Sequence, residues 1–363
     1  MTFSPLISVV MSVYNGEKYI PGAIQSILNQ TFSDFEFIII NDGSTDSTST
    51  ILHRSEQVDG RIRVYHQENR GLIASLNRGC RLARGKYIAR MDADDLSLPE
   101  RLARQVHYMK AHPAIGVLGT WIEYIDESGT SVGDWPMSTV PALIAWSLCF
   151  GTCLAHPSVI MRRDVVERLG FYRPDALHAE DYDLWARASV VTQIANIPEI
   201  LLRRRIWKES VCSRHLPAQE QNVLKVMHSI ITRLLGSEVS DKSIASLRQM
   251  VMGSSLGDLH EIESVASLVR RLYQAYLKAN SLHRREVTEV TRDAGRKLFT
   301  LAVWANKTSL WKGSLIFAQA LRLDSTGFLR GLSQKGMKML YRTRFLGHVQ
   351  GISGYGPDLD RRS

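Results

Sequence analysis

A short apolar run followed at once by three carboxylates constrains the fold of this chain more than any other feature. Positions 87–91 are typical of a buried strand, and Asp92, Asp94 and Asp95 come directly after it. In an open parallel sheet, ligands bind beyond the carboxyl ends of the strands. Carboxylates clustered there repel one another unless a cation lies between them. The segment therefore predicts a site for a divalent cation carrying a diphosphate. The alternative is an acidic turn that precedes the next helix.

The first 120 residues alternate between strand and helix signals. Strands are predicted at 7–14, 36–41, 61–66, 87–91 and 115–118, and helices at about 16–30, 71–83 and 99–111. This alternation is typical of βαβ units, so we expect an α/β fold with a parallel sheet. From 120 to 205 the pattern is mixed, with helix signals near 139–149, 164–169 and 180–190.

Beyond residue 214 the strand signal disappears. Helices are predicted at 217–235, 243–252, 260–279, 284–305 and 312–322. We therefore expect an α/β domain over 1–214, an α-helical basic region over 215–350 and a flexible tail over 351–363.

The net charge of +9 belongs to the C-terminal part of the chain. Residues 1–202 carry 18 basic and 23 acidic side chains, whereas residues 203–363 carry 27 and 13. A basic region of this kind suits an anionic membrane surface, a nucleic acid or an acidic substrate, and it is also typical of solvated helix faces. The acidic N-terminal part argues against nucleic acid as a partner.

Several features indicate a cytoplasmic protein. The four cysteines have no paired spacing, which favours reduced thiols, and no secretory signal precedes the first strand. The charge-free stretch 135–161 is interrupted by prolines, so we interpret it as an interior helix and a strand rather than a membrane span. The cysteines are Cys80, Cys149, Cys153 and Cys212.

Polar groups follow three of the predicted strands, and sheet topology should bring them to one edge. They are Val13-Tyr14-Asn15, the turn 42–46 and the acidic run 92–95. Such an edge suits a nucleotide whose pyrophosphate bridges to a metal. The chain has no glycine-rich phosphate loop, which disfavours kinases, dehydrogenases and nucleotidyltransferases.

These motifs, in this order, resemble glycosyltransferase family 2. The resemblance runs over about residues 5–212 and rests on 9–15, 41–46, 69–71, 83–87, 91–95, 156–159 and 180–187. It implies a GT-A fold, which is a Rossmann-like mixed sheet flanked by helices, with the α-helical C-terminal region outside it. The implied activity of the 1–214 domain is transfer of a sugar from a nucleotide-diphosphate donor, with inversion at the anomeric carbon.

The resemblance also implies roles for individual residues. Asp181 would be the catalytic base and Glu180 its neighbour, Asp94 would bind Mn²⁺ or Mg²⁺, and Asp95 would orient the other acids. Inversion needs a carboxylate opposite the leaving diphosphate. The alternative for Glu180 and Asp181 is capping of the following helix. The residues implied for nucleotide-sugar binding are Val13, Tyr14, Asn15, Asp42, Arg84, Asp92, Ala93 and Asp94.

On the acceptor or diphosphate side, the implied residues are His156, Trp185, Arg204, Arg205 and Trp207. The chain departs from the family here, because Arg204 replaces a tyrosine and Trp207 replaces a histidine. Arg204 or Arg205 is therefore expected to contact the diphosphate. His156 is alternatively a buried residue with satisfied hydrogen bonds, and Trp185 alternatively packs in the core.

We thus expect an inverting glycosyltransferase that uses a UDP sugar and a glycan or lipid-linked glycan acceptor, in exopolysaccharide, capsule or O-antigen synthesis. A non-catalytic nucleotide-sugar-binding or scaffold protein is the alternative. The pattern over 328–345 fits a basic amphipathic helix, which would lie against an anionic membrane at the inner face of the plasma membrane or pack on the other helices.

Overall fold

The computed structural model describes residues 4–206 and 216–323 and divides the chain into two compact units. The sheet unit comprises Met1–Ile144 and Thr152–Trp207, and the helical unit comprises Ala145–Gly151 and Lys208–Ser363. A short segment from the first half of the chain therefore belongs to the helical unit. The sequence prediction, with one border at residue 214, did not include this excursion.

A mixed sheet of nine strands forms the centre of the sheet unit, counted over the described residues. The strands are β1 (Ile7–Val13), β2 (Phe35–Asp42), β3 (Ile62–Gln67), β4 (Tyr87–Asp92), β5 (Leu96–Ser97), β6 (Ile115–Ile125), β7 (Ser131–Trp135), β8 (Ile160–Arg162) and β9 (Gln193–Arg205). Their order is β3-β2-β1-β4-β8-β6-β9-β5, and β7 pairs with β6. The first four strands are mutually parallel, whereas β8 runs antiparallel to both β4 and β6.

Seven helices accompany these strands, and five more follow in the described part of the helical unit. The first group is α1 (Ile20–Leu28), α2 (Thr48–Val58), α3 (Leu72–Leu82), α4 (Arg101–Ala111), α5 (Pro141–Ser147), α6 (Arg163–Arg168) and α7 (Glu180–Val191). The second group is α8 (Leu216–Leu235), α9 (Asp241–Val251), α10 (Leu259–Ala279), α11 (Arg284–Asn306) and α12 (Leu310–Leu323). The five predicted C-terminal helices are confirmed.

The core of the sheet unit follows from continuous apolar strands. Every residue of β2 is buried, which is typical of a parallel strand covered on both faces. Helix α3 packs closely on β1 and β2, because Gly79 has no side chain: a Cβ there would lie 2.5 Å from Val10 Cγ1. The apolar face of α3 is formed by Ile73, Leu76 and Cys80.

Apart from the short strands β5 and β7, which were not predicted, two longer strands differ from the sequence prediction. The strand predicted at 115–118 extends to Ile125, and Gln193–Arg205 is a strand of 13 residues where none was expected. Pro198 and three consecutive arginines hide the signal of β9. The structure accommodates them because the pairing with β6 shifts register near Pro198 and because Arg203 pairs with Glu123 of β6 at 2.7 Å.

In the helical unit, the segment Ala145–Gly151 contributes a buried aromatic cluster. Trp146 is fully buried, and its ring lies 4.9 Å from Phe150, 6.5 Å from Tyr273 and 5.6 Å from Tyr276, between centroids. Its indole nitrogen donates a hydrogen bond of 2.5 Å to Asp293. These contacts explain why the segment belongs with α10 and α11.

Across 4–206 and 216–323, every helix falls short of the length and apolar character that crossing a bilayer requires.

Glu36, at the start of β2, is a buried carboxylate that several donors satisfy. It is 3% exposed, accepts a 2.7 Å bond from Ser8, and pairs with Arg63 at 3.0 Å and Arg84 at 2.8 Å. Burial alone would raise the pKa of this carboxyl, but hydrogen bonds from Ser8, Arg84 and Arg63 outweigh it and the pKa is lowered.

We therefore predict that Glu36→Gln lowers the free energy of unfolding by about 2 kcal/mol at pH 7, because the arginines lose their charged acceptor. Because its pKa is lowered, the Glu36 carboxylate stabilises the fold at pH values above its unfolded pKa of 4.5. This contribution is lost as the pH falls. Urea unfolding at pH 7 and at acid pH measures the change. The exposed Glu100→Gln is the control, and equal stability of Glu36→Gln and the native protein at pH 7 would contradict the prediction.

Candidate active site

The tips of β1, β2 and β4 lie side by side at one edge of the sheet. In the parallel register Val13 is beside Asn41, and Ser12 is beside Asp92. Since neighbouring strands are about 4.8 Å apart, β2 and β4 are separated by about 10 Å across β1. The expected meeting of the three polar tips is confirmed, while their roles in binding stay predictions.

Asp42 is buried at the end of β2 and organises the loop that follows β3. Its two carboxylate oxygens accept hydrogen bonds from Gln67 Nε2 at 2.7 Å and from the amides of Arg70 and Gly71 at 2.9 Å each. Gly71 has a φ of 82°, a conformation that favours glycine. A carboxylate offers about four acceptor positions, so one position of Asp42 remains for a further donor.

The residues at the tip of β1 divide into structural and exposed ones. The Asn15 side chain accepts a 2.8 Å bond from the Thr45 amide, and the Asn15 amide donates to Ser44 Oγ at 3.0 Å. Asn15 therefore joins the β1 tip to the turn after β2. Val13 is buried, whereas Tyr14 is 53% exposed and presents its ring at the surface of this edge.

Three carboxylates converge beyond β4. One oxygen from each of Asp92, Asp94 and Asp95 lies within 4.8 Å of the others. Asp95 is 1% exposed, and burial, with the neighbouring charges of Asp94 and Asp92, raises its pKa well above the usual range. Ala93, between two of these acids, is half-buried.

This triad has the chemistry of a hard-cation site. Asp95 Oδ1 accepts a 2.8 Å bond from the Arg205 amide, but Asp95 Oδ2 is buried and makes no hydrogen bond within the described part of the chain. A buried carboxylate oxygen without a donor is costly unless a cation satisfies it. The residues present therefore fit Mn²⁺ or Mg²⁺, which prefer oxygen ligands.

A second acidic group opens α7. Glu180 is 7% exposed, and burial together with the charge of Asp181 raises its pKa to about 7. Burial also raises the pKa of Asp181, whose Oδ1 accepts a 2.7 Å bond from the Tyr182 amide. The third acid of this turn, Asp183, is paired with Arg187 at 2.7 Å. Of the three acids in this turn, Glu180 and Asp181 are therefore the candidates for a catalytic role.

His156 and Trp185 lie in a buried aromatic group. His156 Nε2 is 2.8 Å from the Tyr172 hydroxyl, and the His156 ring is 6.0 Å from Trp185. Burial, and then the charges of Arg90 and Arg204, lower the pKa of His156 well below its usual value, so the ring is neutral. Trp185 is 0% exposed and so packs in the core, while its place on the acceptor side stays a prediction.

Sequence reasoning missed Arg90 and Tyr172. Arg90 is a buried arginine of β4 that pairs with Asp92, two residues on and on the same face of the strand. A charged residue inside a buried strand was a usable signal for Arg90. Tyr172 is fixed by Asn77 of α3, which donates to its carbonyl at 2.8 Å and accepts from its amide at 2.9 Å, and no local pattern reveals this.

Arg84 corrects the prediction of a nucleotide-binding role. Its guanidinium pairs with Glu36, and its amide donates to Ser8 Oγ at 3.1 Å. Both partners lie near the starts of their strands, whereas the acidic triad lies beyond the strand ends. Ser8 and Ser12, the residue beside Asp92, are four residues apart on β1, or about 13 Å at 3.3 Å per residue. Arg84 therefore stabilises the opposite edge of the sheet.

The two arginines that end β9 have different surroundings. Arg205 donates from Nε to the Asp94 carbonyl at 3.0 Å and from Nη1 to the carbonyls of Asp126 and Glu127 at 2.8 and 3.0 Å. It therefore supports the acidic loop, which corrects the view that either arginine could serve the diphosphate. The charge of Arg204 acts on Asp95 and Asp181, so Arg204 is the better candidate for contact with the diphosphate.

Trp207 and the pattern at 328–345 lie outside the described residues.

Comparisons with known proteins identify relatives of this chain. The family described as Glycosyl transferase family 2 matches residues 8–170. An uncharacterized glycosyltransferase of Haemophilus influenzae is 31% identical over 75% of this chain and 86% of its own length. The O-antigen biosynthesis glycosyltransferase WbnJ of Escherichia coli is 37% identical over 56% of this chain and 81% of its own length. The amylovoran biosynthesis glycosyltransferase AmsE of Erwinia amylovora is 31% identical, with 58% and 79% covered.

Solved structures share the fold at low sequence identity. S. aureus TarS in complex with UDP-GlcNAc has a TM-score of 0.53 and 16% identity, over 89% of this chain and 91% of its own. The mannosyltransferase PcManGT of Pyrobaculum calidifontis, in complex with GDP-Man and Mn²⁺, has a TM-score of 0.51 and 17% identity, over 90% and 89%. The predicted GT-A fold with C-terminal helices is confirmed.

The raised pKa of Glu180 predicts a stability cost that grows with pH. Between the unfolded value of 4.5 and the folded value of about 7, the folded chain binds more protons than the unfolded chain, so this group lowers stability as pH rises. We expect Glu180→Gln to raise the free energy of unfolding by roughly 1–3 kcal/mol at pH 8 and by much less at pH 4.5.

Urea unfolding of the metal-free protein at both pH values measures this difference. Glu167→Gln, which changes a surface glutamate of α6, should show no such pH dependence. A Glu180→Gln protein whose stability advantage is the same at pH 4.5 and pH 8 would show that the Glu180 carboxyl titrates normally.

Proposed function

The chain belongs to glycosyltransferase family 2, and on this premise we propose that it transfers a sugar from a nucleotide-diphosphate donor to an acceptor glycan, with inversion, in surface polysaccharide synthesis. The observation that carries the proposal is the acidic triad beyond β4, with the buried Asp95 Oδ2 that makes no hydrogen bond to any described residue. The expected donor is a UDP sugar, and the expected acceptor is a glycan or a lipid-linked glycan.

Relatives and structural neighbours support this choice of substrates. WbnJ and AmsE are named as glycosyltransferases of O-antigen biosynthesis and amylovoran biosynthesis. TarS has been solved with UDP-GlcNAc and PcManGT with GDP-Man and Mn²⁺. A nucleotide sugar is therefore the ligand class that we propose for this chain.

The donor end of the site would be formed by the tips of β1, β2 and β4. Tyr14 is exposed where a base would lie, and Asp42 keeps one acceptor position for it. Asp94 and its two neighbours would bind a divalent cation, which when bound stabilises negative charge on the diphosphate oxygens. Arg204, whose charge acts on Asp95 and Asp181, would contact the diphosphate from the end of β9.

The acceptor end would be formed by the first turn of α7. Asp181 Oδ1 is occupied by the Tyr182 amide, so Asp181 Oδ2 is the atom that would take the proton of the acceptor hydroxyl. As that proton leaves, the acceptor oxygen bonds to the anomeric carbon, and the bond from this carbon to the diphosphate oxygen breaks. The raised pKa of Asp181 makes it a stronger base than an exposed aspartate.

Removal of a metal ligand should abolish cation-dependent stabilisation. We predict that Asp94→Asn loses the rise in melting temperature that Mn²⁺ and UDP together give the native protein, because one of the triad's three carboxylates is neutralised. In the native protein, ligand at 100 times Kd should add about 2.7 kcal/mol to the stability. Asp134→Asn, an exposed acid of β7, is the control. If Asp94→Asn keeps the full Mn²⁺-dependent shift, the triad is not the metal site.

The base is tested by separating donor binding from transfer. Asp181→Asn should bind the donor as the native protein does but lose about 10²–10⁴-fold in kcat, because no group removes the acceptor proton. Release of nucleoside diphosphate and calorimetric binding of the donor measure the two steps. Asp175→Asn, an exposed acid just before α7, should keep both properties. Near-native turnover by Asp181→Asn would exclude it as the base.

A panel of UDP and GDP sugars with Mn²⁺ decides the donor, read first as a thermal shift and then as product formation. Proton NMR of the product reports the anomeric configuration, and a retained configuration would refute inversion. If a donor binds but no acceptor ever causes release of the diphosphate, the chain is a non-catalytic nucleotide-sugar-binding protein instead.

A further inference from the structure

Arg90 is a buried cation that pairs directly with the acidic triad. It is 3% exposed, and its Nη1 pairs with Asp92 Oδ1. Its main chain is fixed on both sides, because its amide donates to the Val159 carbonyl at 2.9 Å and its carbonyl accepts from Arg101 Nη2 at 2.6 Å. Its Nε is buried and makes no hydrogen bond within residues 4–206 and 216–323. The guanidinium is thus fixed in place but incompletely satisfied.

The charge of Arg90 reaches both acidic groups of the site. It interacts electrostatically with Asp92 and Asp95 on one side and with Glu180 and Asp181 on the other. Burial alone would lower the pKa of Arg90, but the nearby acids outweigh burial and raise it, so the side chain remains charged. Four carboxyl groups of the site therefore interact with this arginine, and Arg204 acts on two of them.

A divalent cation at the triad would meet Arg90 at the same carboxylate. Asp92 would be shared between the cation and the guanidinium, which carry charge of the same sign. Like charges a few ångströms apart repel one another appreciably even at an effective dielectric constant of about 20. Arg90 must therefore weaken the affinity of the triad for a free cation, although its own position is set by backbone hydrogen bonds that do not depend on metal.

We propose that Arg90 is the internal counter-cation of the site, which satisfies Asp92 while no divalent cation is bound and makes uptake of the cation depend on the nucleotide diphosphate. The inference rests on the metal-dependent transfer proposed above. The diphosphate brings negative charge, and this charge offsets the repulsion between Arg90 and the cation. Cation and nucleotide should accordingly bind together and leave together, and Arg90 acts as a positioning residue for Asp92.

The test is calorimetric titration of the full chain with Mn²⁺, without and with UDP, alongside kcat and KM for the donor. Arg90→Gln should bind free Mn²⁺ on the order of tenfold more tightly than the native protein. The strengthening of Mn²⁺ binding by UDP should shrink, and kcat should fall. Arg90→Lys keeps the charge and should lie between the two, with most of the UDP dependence restored.

Arg162→Gln is the matched control, since it removes another arginine of the sheet whose partners are the carbonyls of Ile115 and Met109. It should lower the melting temperature without changing the Kd for Mn²⁺. Loss of activity together with tighter metal binding is a result that structural damage at Arg90 would not give.

Suppose that the native protein binds Mn²⁺ and transfers sugar. Weaker or unchanged Mn²⁺ binding by Arg90→Gln then overturns the inference and leaves the proposed function intact. Native protein that binds no Mn²⁺ with or without UDP overturns both. If Arg90→Gln does not fold, Arg90→Lys carries the test: tighter free Mn²⁺ binding with reduced kcat supports the inference, and weaker or unchanged binding overturns it.

Discussion

The parallel pairing of β1 with β2 on one side and with β4 on the other decides where the chemistry of this protein lies. The register places Val13, Asn41 and Asp92 at nearly the same level of the sheet. A one-residue slip in either pairing would turn the polar tip of that strand to the other face. The apolar runs of β1 and β2, buried almost throughout, make such a slip costly. The geometry of the site is therefore a consequence of core packing.

Charge compensation is the second constraint on this edge of the sheet. Two acidic groups lie there, one after β4 and one at the start of α7, and burial raises the pKa values of Asp95, Glu180 and Asp181. Buried carboxylates tolerate one another only with positive charge nearby. Arg90 supplies part of this positive charge permanently, and Arg204 supplies further positive charge from the end of β9. The buried carboxylates repel one another, and a positively charged ligand would reduce this repulsion. Carboxyls with shifted pKa values are common at functional sites for this reason.

Most of the architecture could be predicted from the sequence, because long apolar runs and helical periodicity are local signals. The parallel strands, the polar tips and the five C-terminal helices follow from such signals. Strand β9 does not, since Pro198 and the arginines at its end contradict local strand propensity and only pairing with β6 makes it a strand. Arg84 was assigned to the wrong end of the sheet because closeness to β4 in sequence does not say which end of the strand a residue occupies.

The excursion of Ala145–Gly151 into the helical unit has a consequence for how this protein can be divided. A fragment ending at residue 207 would retain Trp146 but lose Tyr273, Tyr276 and the Asp293 acceptor of its indole nitrogen. A large aromatic ring would then be left in water in the middle of an otherwise complete fragment. The sheet unit is consequently not a detachable module, and any dissection of the two units has to redesign that seven-residue stretch first.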